Sequence, residues 1–252
     1  MRRKWPVVIT ALVFMLIIAS VAAAGGVPIL LYHRFGPTVA DSMTITTPVF
    51  EAHLKYLKQN GYTVIPLRQV IDSLKNKKPL PDHAVVIVTD DGHKSVYTDM
   101  LPLVKKYQIP VTLFIYPSAI SNASYAMTWN QLKELKGTGL FDLQSHTYWH
   151  PNFKIEKKRL VPAEYEKLVE TQLKKSKDKL EKELGTKVDL LAWPFGIYDD
   201  YLMGKASQAG YTAAFSIERR PVRGTDNIMS LPRFLLENAN QGKSFERLLT
   251  GS

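Results

Sequence analysis

Short runs of aliphatic and β-branched residues alternate with segments of helical periodicity along most of the chain, and this alternation limits the fold more than any other feature of the sequence. Such an order is typical of α/β proteins in which most strands are parallel. We predict seven strands, at residues 29–32, 62–65, 84–89, 111–115, 141–144, 190–193 and 213–216. Seven strands are enough to close a barrel, so the expected fold is a single α/β domain.

Helical segments fill the intervals between these strands. One helix is expected to begin at Thr47 and Pro48 and to end before Gly61, because proline is favoured in the first turn and glycine after the last one. Segment 162–184 carries many lysine and glutamate residues around spaced apolar positions, which predicts a solvated helix on the outside of the barrel. Further helices are predicted at 95–107, 128–136 and 199–208.

The amino-terminal segment has a composition of its own. Arg2, Arg3 and Lys4 precede an uncharged apolar run over residues 7–24, which ends in three alanines. This order is the layout of a secretory signal, and an uncleaved membrane anchor is the alternative. We therefore expect residues 1–24 to be a signal peptide or anchor and residues 25–252 to form a domain that is secreted, periplasmic or attached to the cell surface.

Composition narrows the chemistry that is available. The chain has no cysteine, so no disulfide or thiolate takes part, and any metal site must use histidine and carboxylate ligands. Of the 33 basic residues, three lie in the amino-terminal segment, which leaves 30 basic against 23 acidic residues in the remainder. No basic stripe is interleaved with stacking aromatics, so no nucleic-acid partner is expected. The sequence identifies no protein partner.

Two adjacent carboxylates follow the predicted strand at 84–89. Asp90 and Asp91 precede Gly92, at the end of the strand where parallel α/β folds place their sites. The repulsion between them becomes tolerable if one binds a cation, and the other can then serve as a base. A turn or helix cap is the alternative interpretation of the same three residues.

A histidine pair follows the predicted strand at 141–144. His146 and His150 are four residues apart, a spacing at which both imidazoles can reach one ion. Two histidines and a carboxylate leave one position open for water, which is the pattern of a catalytic rather than a structural zinc site. Two half-buried ring side chains are the alternative.

Two further strand ends carry candidate residues. The strand at 29–32 ends in His33, a lone histidine that by itself does not distinguish a structural from a catalytic role. The strand at 190–193 runs into a turn with proline and glycine that places Trp193 and Phe195 near the same barrel mouth. These aromatics can stack on a sugar ring or cap the core.

Together these residues resemble the polysaccharide deacetylase family, the carbohydrate esterases of family 4 that share the NodB homology domain. Its Asp-Asp-Gly block corresponds to Asp90, Asp91 and Gly92, and its His-(Ser/Thr)-x-x-His block corresponds to residues 146–150. The resemblance spans about residues 27–235. It implies a distorted (β/α)7 barrel of NodB type, with Asp90 as the catalytic base and Asp91, His146 and His150 as the metal ligands.

The chain departs from the family pattern at three places. Thr89 replaces the usual aromatic residue, Ala192 stands where the family has an arginine, and Leu231-Pro232-Arg233 stands where a Leu-x-His block is usual. These departures resemble the permuted branch that deacetylates poly-β-1,6-N-acetylglucosamine in the biofilm matrix. In that branch a Tyr-His pair near the amino terminus supplies the catalytic acid, a role that the resemblance assigns to His33.

The expected activity is metal-dependent hydrolysis of N-acetyl groups on an N-acetylglucosamine polysaccharide, most of all poly-β-1,6-N-acetylglucosamine. Peptidoglycan or chitooligosaccharide deacetylation, a non-catalytic carbohydrate-binding role and hydrolysis of another amide are the alternatives. The expected cofactor is a divalent metal, with Zn²⁺ preferred and Co²⁺, Ni²⁺ or Fe²⁺ able to use the same ligands. Phe195 and Trp193 are the predicted substrate contacts.

Overall fold

The strands form one parallel sheet that curls on itself. The computed structural model describes residues 26–250. Its strands are β1 (Ile29–Tyr32), β2 (Arg34–Gly36), β3 (Thr44–Thr46), β4 (Thr63–Val64), β5 (Ala84–Thr89), β6 (Val111–Ile115), β7 (Phe141–Ser145), β8 (Leu190–Ala192), β9 (Ala213–Phe215) and β10 (Phe234–Leu235). The main sheet follows the order β10-β1-β5-β6-β7-β8-β9, with β4 attached to β5 outside this order, while β2 and β3 pair separately.

The curled sheet is closed by the segment that includes β10. Leu231 forms a parallel bridge to Phe215 of β9, and its backbone N–H donates to Ala214 at 2.8 Å. A few residues later Phe234 pairs with Leu30 of β1. The segment therefore joins the last strand to the first, and the distorted seven-stranded barrel of NodB type is confirmed.

One of the seven predicted strands is not one of the seven strands of the barrel. The run predicted at 62–65 forms only the two-residue β4, which pairs with the first residues of β5. The seventh strand of the barrel is β10, which was not predicted. Two residues, preceded by a proline and an arginine, are too few to show the alternation or the apolar run by which a strand is recognised.

The helices surround the barrel much as predicted. They are α1 (Thr47–Gln59), α2 (Leu67–Asn76), α3 (Leu101–Tyr107), α4 (Trp129–Gly137), α5 (Phe153–Arg159), α6 (Pro162–Glu170), α7 (Ser176–Leu184), α8 (Asp200–Gln208) and α9 (Lys243–Thr250). A π-helical turn precedes α3, and another joins α6 to α7. The long helix predicted at 162–184 is thus one continuous helical segment with a local widening. Helices α2, α5 and α9 were not predicted.

Both faces of the barrel strands are buried. Ile29, Leu31, Val86 and Val88 belong to one apolar cluster with residues of α2, and their neighbours along β1 and β5 belong to a second cluster shared with the outer helices. Successive strand residues point to opposite faces, so the first cluster fills the barrel and the second joins barrel and helices. This two-sided burial leaves the strand ends as the places where polar side chains can meet solvent.

The expectations about residues 1–24 lie outside the described residues. Among the helices of residues 26–250, none combines the length and the apolar character needed to cross a membrane. The predicted signal peptide or anchor therefore stays a prediction.

Candidate active site

The carboxyl ends of three strands of the main sheet bring predicted site residues to one mouth of the barrel. His33 follows β1, Asp90 and Asp91 follow β5, and His146 follows β7. Tyr32 is the register partner of Thr89, and the backbone N–H of Asp90 donates to the carbonyl of Tyr32 at 3.1 Å. His33 and Asp90 therefore leave adjacent strands at the same level.

Asp91, His146 and His150 form a three-residue cluster. One ligand atom from each lies within 4.8 Å of the other two. Oδ1 of Asp91 is 3.6 Å from Nε2 of His146 and 3.9 Å from Nε2 of His150. Ligands about 2 Å from a common zinc ion stand at such separations, and three of them leave a position for water. The donor set therefore fits a divalent metal and does not choose between zinc, cobalt, nickel and iron.

Two of these three residues have a left-handed backbone. The φ angle is 75° at Asp91 and 64° at His150, a region that residues other than glycine rarely adopt. Such conformations persist where the surrounding structure imposes them, and they concentrate at functional sites. Here the hydroxyl of Thr147 accepts the backbone N–H of His150 at 3.2 Å, which holds the turn that brings His150 back towards Asp91.

The buried surroundings keep both histidines ready to bind a cation. Nδ1 of His146 is 2.8 Å from the carbonyl of Ala192, and because a carbonyl can only accept, this nitrogen carries the proton and leaves Nε2 as a lone pair. Burial lowers the pKa of His146 to about 4. Burial is also the main cause that lowers the pKa of His150 to about 4. Both imidazoles are therefore neutral near pH 7.

Asp90 is held by a buried arginine. The Asp90 carboxylate accepts two hydrogen bonds from the guanidinium of Arg233, at 2.8 and 2.9 Å, and neither side chain is more than 2% exposed. Burial alone would raise the pKa of Asp90, but the charge and hydrogen bonds of Arg233 lead the influences that lower it below its ordinary value. Asp90 is therefore ionised and able to accept a proton. It lies beside the metal cluster, with Oδ2 3.6 Å from Nε2 of His146.

Arg233 is a site residue that the sequence analysis missed. Leu231-Pro232-Arg233 was interpreted only as the absence of a family block, and Ala192 only as the absence of an arginine. In the structure, Nε of Arg233 donates to the carbonyl of Ser216 at 2.9 Å while its other nitrogens bind Asp90. The segment that closes the barrel thus supplies a guanidinium to Asp90. An arginine directly before the apolar residues Phe234 and Leu235, in a chain that lacks the usual arginine, is the sequence signal that could have identified it.

His33 lies in the same group of charges. A positive charge on His33 lowers the pKa of Asp90, His146 and His150, although it is not the largest influence on any of them. Nδ1 of His33 is buried and has no hydrogen-bond partner among residues 26–250. The structure therefore brings His33 to the site, and its role as an acid stays a prediction.

The two predicted substrate contacts have different outcomes. Phe195 is 55% exposed, and its ring centre is 4.6 Å from that of His150. It lies in a turn that requires the next residue to be glycine, since a Cβ on Gly196 would approach Ile217 to 2.4 Å. Trp193 is fully buried and its indole N–H donates to the carbonyl of Met229. The prediction that Trp193 contacts substrate is therefore wrong, because this side chain fills the core below the mouth.

Other aromatic side chains flank the cluster. Trp149, between the two clustered histidines, is 50% exposed. On another side the ring of Tyr116 lies 5.4 Å from that of His150, and its hydroxyl is 2.8 Å from the hydroxyl of the partly exposed Tyr125. The cluster therefore lies at an open mouth lined by aromatic rings, a surface suited to sugar rings.

Comparisons with known proteins agree with this geometry. A family model described as polysaccharide deacetylase matches residues 77–214, more than half of the chain. The matched range includes the Asp90–Asp91 pair and both clustered histidines, and it leaves out His33 and Arg233. The chain is 28% identical over 211 residues to the poly-beta-1,6-N-acetyl-D-glucosamine N-deacetylase of Staphylococcus aureus strain MRSA252. The aligned region covers 82% of this chain and 71% of that protein.

Solved structures show the same fold. IcaB from Ammonifex degensii is 25% identical, with a TM-score of 0.76 over 92% of this chain and 98% of that one. The Streptococcus pyogenes deacetylase PplD, solved in complex with acetate, is 23% identical, with a TM-score of 0.79 over 89% of this chain and 98% of that one. At these identities the structural likeness supports the barrel architecture.

Proposed function

The chain belongs to the polysaccharide deacetylase family, enzymes that hydrolyse a carbon–nitrogen bond, and we propose on this premise that its substrate is poly-β-1,6-N-acetylglucosamine. The observation that carries the proposal is an ionised, buried Asp90 beside an Asp-His-His cluster at an open aromatic mouth. The Staphylococcus aureus relative, whose name states this substrate, supports the choice of polymer. Peptidoglycan and chitooligosaccharides stay as the alternative substrates.

Each residue of the site has a separate role in the proposed amide hydrolysis. A divalent cation held by Asp91, His146 and His150 would supply Lewis-acid chemistry at the acetamide carbonyl and at water. Asp90, kept ionised by Arg233, takes a proton from the water whose oxygen attacks the carbonyl carbon. His33 donates a proton to the nitrogen as the carbon–nitrogen bond breaks. The products are acetate and a free glucosamine unit, so the polymer gains positive charge.

The test of this proposal is acetate release from N-acetylglucosamine pentamers of β-1,6 and β-1,4 linkage. We expect the full chain, loaded with zinc or cobalt, to release acetate faster from the β-1,6 pentamer. Preference for the β-1,4 pentamer would replace the proposed polymer with peptidoglycan or chitin-like substrates. No release from either pentamer, with metal shown to be bound, would favour a carbohydrate-binding protein or a hydrolase of another amide.

Removal of the metal ligands should abolish both binding and turnover. We expect His146→Ala to lose the metal, because the remaining carboxylate and imidazole are too few for a stable zinc site. The measurement is metal content per chain together with acetate release, before and after chelation and reloading. His83→Asn is the matched control, since His83 lies at the amino end of β5, away from the cluster. Metal retained in His146→Ala would contradict the assigned ligands.

The exposed aromatic next to the cluster should affect substrate binding more than turnover. We expect Phe195→Ala to raise KM for the pentamer about fivefold, the equivalent of about 1 kcal/mol of ring stacking, with kcat nearly unchanged. Tyr201→Ala, which removes a partly exposed ring at the start of α8, should leave KM unchanged. An equal KM for Phe195→Ala and the native chain would remove Phe195 from the substrate contacts.

We further propose that residues 1–24 direct export and that residues 25–252 act outside the cytoplasm. The order of positive, apolar and small residues in that segment supports this proposal. Cell fractionation, with sequencing of the amino terminus of the recovered protein, distinguishes a cleaved signal from a retained anchor. Recovery of the full-length chain in the cytoplasm would contradict both.

A further inference from the structure

A large cavity lies at the opposite end of the barrel from the candidate active site. Its volume is about 860 Å³, and its lining includes Val27 and Pro28 before β1 and His83 and Ala84 at the start of β5. In a parallel barrel all strands begin at the same mouth, so the cavity lies at the amino-terminal mouth while Asp90 lies at the carboxyl-terminal one. The residues assigned to catalysis do not line it.

The lining of this cavity carries more positive than negative charge. Arg219, Arg223 and Arg247 line it and all three are exposed. Asp226, which accepts the backbone N–H of Arg223, is the acidic residue that feels the charge of Arg223. A fourth arginine, Arg220, is already bound by Asp226 and Glu218. Asp82 is the acidic residue of the lining, and it has an interaction of its own. Three guanidinium groups around one concave surface create a positive potential that attracts anions.

The same wall is where the amino-terminal segment joins the barrel. Gly26 lines the cavity, and the next residue, Val27, exchanges two backbone hydrogen bonds with Val222, at 2.8 and 2.9 Å. The φ angle of Gly26 is 82°, and a Cβ there would approach the carbonyl oxygen of Val222 to 2.3 Å. The chain therefore enters the barrel in a fixed backbone conformation beside Arg223, with 25 residues preceding it.

We propose that this cavity binds the phosphate headgroups of anionic phospholipids. The planar guanidinium group matches phosphate geometry, and the partly exposed apolar residues of the same lining, Leu80 and Leu249, suit the boundary between headgroups and acyl chains. If the apolar run at residues 7–24 is retained as an anchor, as the proposed export segment allows, it tethers this mouth to a membrane surface just before Gly26. The barrel then lies on the membrane by its amino-terminal mouth, with the aromatic mouth turned towards extracellular polymer. This inference does not depend on the identity of the polymer.

The test uses the full chain in lipid nanodiscs and follows amide hydrogen exchange. Discs of phosphatidylcholine are compared with discs that also contain phosphatidylglycerol, which carries a phosphate charge that choline does not neutralise. We expect the backbone amides of residues 217–223 and 244–250 to exchange at least about fivefold more slowly in the anionic discs. A factor of about five corresponds to the attraction of one cation to an anionic leaflet. The difference should disappear at 1 M salt, where charges are screened beyond about 3 Å.

A variant with Arg219→Gln, Arg223→Gln and Arg247→Gln should lose this protection. A variant with Lys133→Gln, Lys167→Gln and Lys182→Gln removes the same number of charges from outer helices and should keep it. Unchanged melting temperature and acetate release in the arginine variant would show that it is folded. Equal exchange in the two kinds of disc, or equal protection in the two variants, would overturn the proposal. Protection by added poly(glycerol phosphate) and not by anionic discs would also overturn it and would assign the cavity to a wall polymer.

Discussion

Replacement of Asp90 by asparagine is expected to lower kcat by about 10²–10⁴-fold, the range that general acid–base catalysis contributes, with the metal still bound. Asparagine keeps the shape of the side chain but cannot accept a proton at neutral pH. The metal cluster uses Asp91, His146 and His150, so its ligands remain. The measurements are kcat on the preferred pentamer and metal content per chain.

The control for Asp90→Asn must separate chemistry from folding. The substitution leaves the buried Arg233 without its anionic partner, and breaking a buried ion pair is destabilising. Asp142→Asn is the matched variant, because Asp142 also binds an arginine, Arg68, but at the amino end of β7. We expect Asp142→Asn to keep its activity. If Asp90→Asn remained folded and metal-bound and turned over at the native rate, Asp90 could not be the base.

Replacement of Arg233 by methionine should damage stability and catalysis together. Methionine fills similar space but leaves the Asp90 carboxylate buried without its partner, and loss of one member of a buried pair costs about 3–5 kcal/mol of unfolding free energy. Denaturant unfolding of the native chain and the variant measures this loss. Arg68→Met removes an arginine that is 43% exposed and binds two carboxylates, so it should cost much less.

The same substitution makes a prediction about pH. Burial raises the pKa of Asp90, and Arg233 is the largest of the influences that lower it. Without Arg233 the effect of burial dominates, so Asp90 stays protonated to higher pH and the acidic limb of the kcat/KM profile should move upward. In the native chain a lowered pKa stabilises the fold above the unfolded pKa of about 4, and this stability is lost as pH falls through the folded value. The stability difference between native chain and variant should therefore shrink at low pH. An unmoved acidic limb in a folded Arg233→Met would show that Arg233 does not tune the base.

Local patterns were enough to predict most of the barrel. Strands β1, β5 and β6 have the predicted bounds, because strands buried on both faces appear in sequence as unbroken apolar runs. Segment 162–184 also has its predicted bounds, since its apolar positions follow the helical period over a long stretch. The closing strand β10 has two residues and no recognisable pattern. Its position is set by the free edge of the sheet, whose backbone N–H and C=O groups need hydrogen-bond partners.

For the site, the sequence by itself indicated a metal cluster of one aspartate and two histidines, and the family resemblance selected Asp91 as the aspartate. Asp90 and Asp91 follow the end of a strand, and His146 and His150 lie four residues apart, so the residue types, the spacing and the strand ends were all visible locally. Only the tertiary structure paired Asp90 with Arg233, which is 143 residues away along the chain. Only the tertiary structure decided that Trp193 is buried and that Trp149 is exposed. The physical reason is that spacing depends only on residues close together along the chain, whereas burial and charge pairing depend on which distant segments meet when the barrel closes.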